Sequence, residues 1–515
     1  MSAAYESRDV CSCRNKESLV QHNELATINR LPEELLCDIF LRTRPDDDAW
    51  ELPLRVSHVC SHWRLVSLGY PLLWNHVDFD CFGPALISEL LSRTRGTTLH
   101  VRITDKSLCR HDVPSLRNLW PSTISNACFL SLICPRMALD SDLFNWLVST
   151  PAPRLEWLQI DGSGLWHIQS ISPDQFFGGL SPTLQQLDAL NLPWALQPGF
   201  CKGLSKLNLV SGNNMHSTTH DGFNIIQVLR DCPDIEQLIL HGPYDMIGPD
   251  MPDISCPVNL RRLRQLTLNL QAHLLLYVLR HIIIPPGSTV RIQSRGFPRF
   301  PAALAGIPPH LPSIGHMDGI TIRIRSNPSR SDLFARELNI SGTTIFGGEL
   351  GIELDDQYSG STFQGNIVDS ILRTYSFSAV RCLCIEGELA APLRRMEAED
   401  VESAVKILRH VVNLEELTVR SMSDSCSRLW DALARGCRDR QSPTLPALSV
   451  LKLQRCIVTP SLMKFFSAWP SVKNLKVLQI VSCMKQRIIY NGDVIAQIRE
   501  QLSWLSPGTD IQVVN

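Results

Sequence analysis

The chain has 515 residues, enough to bury a substantial core and usually more than one domain. Its 49 Lys and Arg face 51 Asp and Glu, a formal charge of −2, so no global basic field holds nucleic acid and no acidic tail serves a basic partner. Seventeen cysteines, an odd number without regular spacing, fit reduced core thiols better than a disulfide framework, which implies cytosol or nucleus. The N-terminus lacks the charged-then-apolar pattern of a signal segment. The most apolar stretch, 272–284, is interrupted by His273, Arg280 and His281 well short of a bilayer span, so the chain reads as soluble, without a membrane partner.

In chain order, residues 1–25 are polar and aperiodic and read as a mobile tail. A lone Cys11-x-Cys13 there falls far below the specificity of a zinc site. Pro32 fits the first turn of a helix, along which Leu35, Leu36, Ile39 and Phe40 recur on one face. After the hydrophilic loop at Asp46, Asp47 and Asp48, Pro53 opens a second helix whose expected stripe is Val56, Val59, Cys60 and Trp63. Val66 continues it into a third, and Pro71 ends the run. So short a helical segment holds little core of its own and needs another surface to close against.

The start Leu31-Pro32-x-Glu34-Leu35, then Val59-Cys60-x-x-Trp63 and Leu73-Trp74, resembles an F-box over residues 26–79. Residues 54–63 are especially similar to fungal F-box proteins, and the long acidic loop is the departure from the family pattern. The resemblance implies an all-helical module that binds the Skp adaptor and, through it, a cullin-RING ubiquitin ligase. The contact positions it carries over are Leu31, Pro32, Leu35, Ile39, Val56, Cys60 and Trp63, with Trp74 closing the motif. His58 and His62 share a helix face without an acidic third ligand and read as surface histidines, so no metal is expected.

From residue 84 to 515 a unit Leu-x-x-Leu-x-Leu recurs, placing three apolar residues on one side of a short strand. It appears at 155–160, 204–209, 235–240, 263–268, 380–385, 414–419, 448–453 and 475–480, and the last four start 34, 34 and 27 residues apart. Helix-compatible pieces at 222–229, 398–411 and 461–469 stand between units. Two units extend to Cys456 and Cys483, where a cysteine takes the place of the asparagine that satisfies backbone groups at the turn. These segments resemble leucine-rich repeats. The expected fold class is α/β: a small all-helical F-box followed by an irregular leucine-rich-repeat-like solenoid, interrupted by a β-rich section at about 285–365.

No phosphate loop, Gly-x-Ser-x-Gly elbow, His-Glu-x-x-His or dinucleotide fingerprint occurs, so neither catalysis nor a cofactor is expected. Ser163, between two glycines and near His167, reads as part of a turn; Cys382 and Cys384 share one strand face. Residues between the structural leucines line the exposed sheet face, and there the expected target-binding positions are Trp157, Gln159, His241, Thr267, Asn269, Thr418, Arg420 and Lys452. Trp157 and Arg420 are the expected anchors, because a rigid aromatic and a forked cation dominate interface energies. The favoured function is a target receptor of a ubiquitin ligase; the alternative is a binding scaffold that uses the adaptor outside ubiquitin transfer.

Overall fold

The computed structural model describes residues 23, 25–43, 51–104, 106–107, 113–133, 146, 148–161, 163, 176–179, 184–191, 201–210, 225–242, 256–270, 272–295, 317–326, 336–344, 349–356, 377–387, 405–420, 425–438, 445–456, 460–481, 496, 499–500, 503 and 508–514. The expected tail up to residue 22, with Cys11 and Cys13, the acidic loop at 46–48, His167 and Cys483 lie outside these. The chain divides into two compact units, Met1–Ala195 and Leu196–Asn515.

The first unit opens with a 3-10 turn, Thr27–Arg30, and helices α1 (Glu33–Arg42), α2 (Leu52–Ser57) and α3 (Ser61–Gly69), then a 3-10 turn at Pro71–Trp74. The expected continuous stripe from Val56 to Trp63 is broken. Helix α2 stops at Ser57, and Cys60 becomes the N-cap of α3, its Sγ accepting the Trp63 N–H at 3.4 Å. Val59 accordingly sits between helices and is exposed. There follow β1 (His76–Asp78), α4 (Pro84–Arg93), β2 (Leu99–Thr104), α5 (Val113–Ile124), β3 (Ala127–Ile133), β4 (Trp157–Asp161) and β5 (Gln186–Leu190).

All five strands run parallel, and their register sets Val77, Val101, Leu130, Leu158 and Leu187 side by side. That row is buried, as period-two alternation demands of a strand with one covered face. Trp120 of α5, fully buried, closes against Phe79 with ring centroids 6.4 Å apart. The stretch expected to be wholly helical to residue 79 therefore ends in a strand, and the ladder begins at His76 rather than after residue 84. Cross-strand pairing joins the last residues of the motif to β2, so the helices and first strands form one unit.

In the second unit the strands are β6 (Lys206–Val210), β7 (Gln237–Gly242), the short β8 (Val258–Asn259), β9 (Gln265–Leu270), the short β10 (Ile282–Ile283), β11 (Thr289–Arg295), β12 (Met317–Ser326), β13 (Arg336–Thr344), β14 (Glu349–Asp356), β15 (Cys382–Gly387), β16 (Glu416–Arg420), β17 (Val450–Gln454), β18 (Val477–Val481) and β19 (Asp510–Val514). Helices α6 (Ile225–Asp231), α7 (Ala272–His281), α8 (Ser425–Arg438) and α9 (Pro460–Ala468) connect some of them. Strands β6, β7, β9 and β11 form one parallel run, with Leu207, Leu238, Leu266 and Val290 in one row. Strands β15 to β19 form another, with Leu383, Leu417, Leu451, Leu478 and Ile511 in register.

Between the two runs, β12, β13 and β14 form an antiparallel meander inserted in reverse order, β11–β14–β13–β12–β15. Three strands are an odd number, so the third points the same way as the first. Hence β14 pairs parallel with β11 and β12 pairs parallel with β15, and the ladder resumes its direction. The β-rich section thus continues the sheet instead of leaving it. Trp430, Phe465 and Trp469 pack α8 against α9, with Trp430 to Phe465 at 5.5 Å and Phe465 to Trp469 at 5.3 Å between centroids. All eight Leu-x-x-Leu-x-Leu segments end in a strand of these ladders, and the parallel sheets with connecting helices fit the α/β class.

Candidate functional site

Pro32 caps α1 with φ −53° and ψ 146°, an extended conformation that turns Leu31 and Pro32 away from the helix axis. The helix then divides its apolar residues between two sides. Leu36, Cys37 and Phe40 are buried, while Leu35 is 50% exposed, Pro32 is exposed and Leu31 and Ile39 are half-buried. Phe40 packs on Trp63 at 4.8 Å, and Trp63 Nε1 donates to Asn29 Oδ1 at 2.6 Å, tying the first turn to α3. Burial, with Glu33 and Glu34 adding to it, pushes the Cys37 thiol up, which keeps it protonated and inert.

Two of the expected adaptor contacts belong elsewhere. Val56 is buried, and Trp74 is 1% exposed, its Nε1 donating to the Ser67 carbonyl at 2.7 Å and its ring lying under Arg93 at 4.5 Å. Both build the domain's own core, because the short helices have little else to close on. Cys60 is half-buried and spends its sulfur on the α3 cap.

The surface instead gains Ile28, Val59, Leu65, Leu68 and Leu72, all exposed. Sequence reading missed Leu65 and Leu68, three apart on α3 and away from Val66, and Leu72 in the 3-10 turn that follows. Seven of the ten large exposed hydrophobic residues among those described fall between Leu25 and Leu72. Exposed large apolar side chains of the described residues are thus concentrated in this stretch of the sequence.

Residues 28–80 match the F-box-like family. They form an F-box-like domain. Domains of this family are adaptor-binding modules, so the match supports binding of a Skp adaptor in general. No curated protein matches the chain.

Of the expected target-binding residues, Trp157 and Gln159 stand on β4 in the first unit, both exposed. Trp157 packs edge-on against Phe129 at 4.5 Å and donates its Nε1–H to Asp188; Gln159 accepts from Ser131 Oγ at 3.0 Å. The other six stand in the second unit. His241, Thr267 and Asn269 are half-buried on β7 and β9, where Asn269 registers with His241 on one side and Gln293 on the other. Arg420 Nε donates to Gln454 Oε1 at 2.9 Å across the β16–β17 pair, and Lys452 Nζ reaches Glu416 Oε1 diagonally at 2.6 Å.

Thr418 does not belong to an exposed row, being 7% exposed. Its short side chain lies in register between Cys384 and the much longer Lys452. Arg291 and Gln293 join the face unforeseen, although Val290-Arg291-Ile292-Gln293 shows the alternation that marks a strand. Cys456 Sγ donates to the Val419 carbonyl at 3.1 Å, the turn role read from its place in the motif. Ser163 turns its Oγ and its N–H back onto the Asp161 carboxylate, as a turn residue does.

Proposed function

We propose that this chain is the target-recognition subunit of an SCF-type cullin-RING ubiquitin ligase. Its F-box-like domain holds the Skp adaptor and through it the cullin assembly, and its strand ladders hold a target protein. The observation that carries this reading is the F-box-like match at 28–80 falling on the stretch that leaves Ile28, Leu35, Val59, Leu65, Leu68 and Leu72 exposed. An adaptor surface that covered them would take most of the exposed large hydrophobic residues among those described out of water.

The ladders support a leucine-rich-repeat-like reading of 84–515. Equivalent leucines of successive units land beside one another, as in Leu417, Leu451 and Leu478, which is what stacking one repeated unit requires. The polar positions between them face the other way and are available to a partner. In this reading the chain performs no chemistry; it raises the effective concentration of a target near a ubiquitin-charged enzyme. The wording of residues 54–63 keeps the fungal resemblance part of the reading, and the odd number of dispersed cysteines in the sequence keeps cytosol or nucleus part of it.

Replacing Leu31 and Pro32 together by Ala tests the adaptor contact. Burying one leucine is worth about 1.5 to 3 kcal/mol, so capture of the Skp adaptor is expected to weaken about ten- to a hundredfold. Undiminished capture in a quantitative pull-down sinks the F-box contact. Adaptor captured by the wild-type chain without any cullin favours the scaffold role instead.

A further inference from the structure

The register of the first unit builds something that no strand reveals alone. His76, His100, Phe129 and Trp157 occupy one row across β1, β2, β3 and β4. Their rings form a continuous column: His76 stacks on His100 at 4.5 Å with an interplanar angle of 7°, His100 meets Phe129 at 5.7 Å, and Phe129 meets Trp157 at 4.5 Å. None of the four is core. The buried hydrophobic residues of these strands point the opposite way, the first three rings are half-buried, and Trp157 is 39% exposed.

The next row on the same face is Asp78, Arg102, Ser131, Gln159 and Asp188. The carboxylates around the column are already engaged: Asp188 accepts from both Trp157 Nε1 and Gln186 Nε2, Asp161 from Ser163, and Asp80 from Thr104 Oγ1. Among the described residues the carboxylate paired with Arg102 is that of Asp78, 3.9 Å away and nearly buried, while the Arg102 side chain is half-exposed beside the two imidazoles. The column is therefore a strip of rings with a cation, Arg102, on the β2 side and the Asp188 carboxylate beside Trp157 at the other end.

We propose that this strip docks an extended target segment that lays an aromatic side chain over Phe129 and Trp157 and an Asp or Glu side chain against Arg102 and His100. Strands about 4.8 Å apart give four rings a length of about 14 Å, which an extended peptide crosses in about four or five residues. Charge complementarity sets the polarity: a lysine at the β2 end meets Arg102, whereas a carboxylate gains a cation whose existing partner is long. The proposal rests on the receptor reading above and names the class of segment it takes.

The test uses the full-length chain and fluorescein-labelled eight-residue peptides of Gly and Ser carrying one Trp and, three residues away, Glu, Lys or phosphoserine. Anisotropy titrations are expected to show the Glu peptide bound about tenfold more tightly than the Lys peptide. The variant Arg102→Gln is expected to erase that preference, and Trp157→Ala to weaken the Glu peptide about thirtyfold, both with unchanged thermal melting. Equal binding of Glu and Lys peptides, a preference that survives Arg102→Gln, or phosphoserine bound where Glu is not each overturns the proposal. Failure of the wild-type chain to capture the Skp adaptor instead overturns the receptor reading, so the two failures are distinguishable.

Discussion

Pro32 and Trp74 belong to one sequence pattern, yet burial gives them opposite tasks: the first is exposed at the start of α1, the second hydrogen-bonds Ser67 inside the core. Helical spacing names the residues that share a face but not what the face meets, which is why Val56 and Trp74 were legible as members of the motif and illegible as core. Thr418 failed for a related reason, since alternation assigns a side but not the height of the neighbours beside it. One titrating residue carries its own prediction. Desolvation, with the nearby Asp80 carboxylate adding to it, raises the Asp78 carboxyl above its ordinary 3.8, against the opposing pull of backbone N–H donors and Arg102. The folded state thus binds the proton more tightly than the unfolded chain. The Asp78 contribution is fully present below pH about 3.8 and is lost as pH rises through the folded pKa. Asp78→Asn, which keeps an acceptor for the Asp80 N–H, should gain stability relative to wild type as pH rises through that window, with the gain vanishing at the acid end. Denaturant melts at a series of pH values measure it, and a gain that is flat with pH refutes the assignment.

At the scale of elements, all eight Leu-x-x-Leu-x-Leu segments proved to be strand segments because each carries its own period-two alternation, a purely local signal. Strands β2, β3 and β5 were missed although Leu99-x-Val101-x-Ile103, Ala127-x-x-Leu130-x-Leu132 and Leu184-x-x-Leu187-x-Ala189 carry the same alternation with smaller or β-branched residues in place of leucine. Helix α8 was missed too, though Leu429, Trp430, Leu433, Ala434 and Cys437 recur at i, i+3 and i+4 and are all buried. The reversed placement of β12 to β14 was beyond reach, since partner choice among strands is set by distant residues and leaves no local mark. Register then makes a quantitative distinction between the two faces of one strand pair. Leu417 is flanked in register by Leu383 and Leu451, all fully buried, so Leu417→Ala should cost about 2 to 5 kcal/mol. Lys452→Ala, on the opposite face and paired with Glu416, should cost about 1 kcal/mol or less. Denaturant midpoints of the two variants at equal slope decide it; comparable losses would mean that the face assignment of this ladder is wrong.

At the scale of the whole chain, the F-box-like match ends at residue 80, and backbone pairing carries across that point. Strand β1 is held to β2 by backbone pairing, and the Trp74 ring lies under Arg93 of α4, so the F-box-like helices and the first ladder share one compact unit. Removing residues 1–80 would strip the β2 edge of its partner and expose Val101 and Ile103, both fully buried in the intact chain. Each buried aliphatic side chain contributes about 1.5 to 3 kcal/mol, so the truncated chain should melt well below the intact one and engage partners nonspecifically. The double variant Leu31→Ala with Pro32→Ala changes the exposed start of α1 and leaves that packing in place. Affinity purification with mass spectrometry of the intact chain beside this variant is therefore expected to separate two partner classes. The Skp adaptor and cullin subunits should fall away with the variant, while a target held by the ladders should remain at the wild-type level. Retention of the ligase subunits would remove Leu31 and Pro32 from the adaptor contact. Loss of every partner at an unchanged melting temperature would show that the ladders do not hold a target independently of the adaptor.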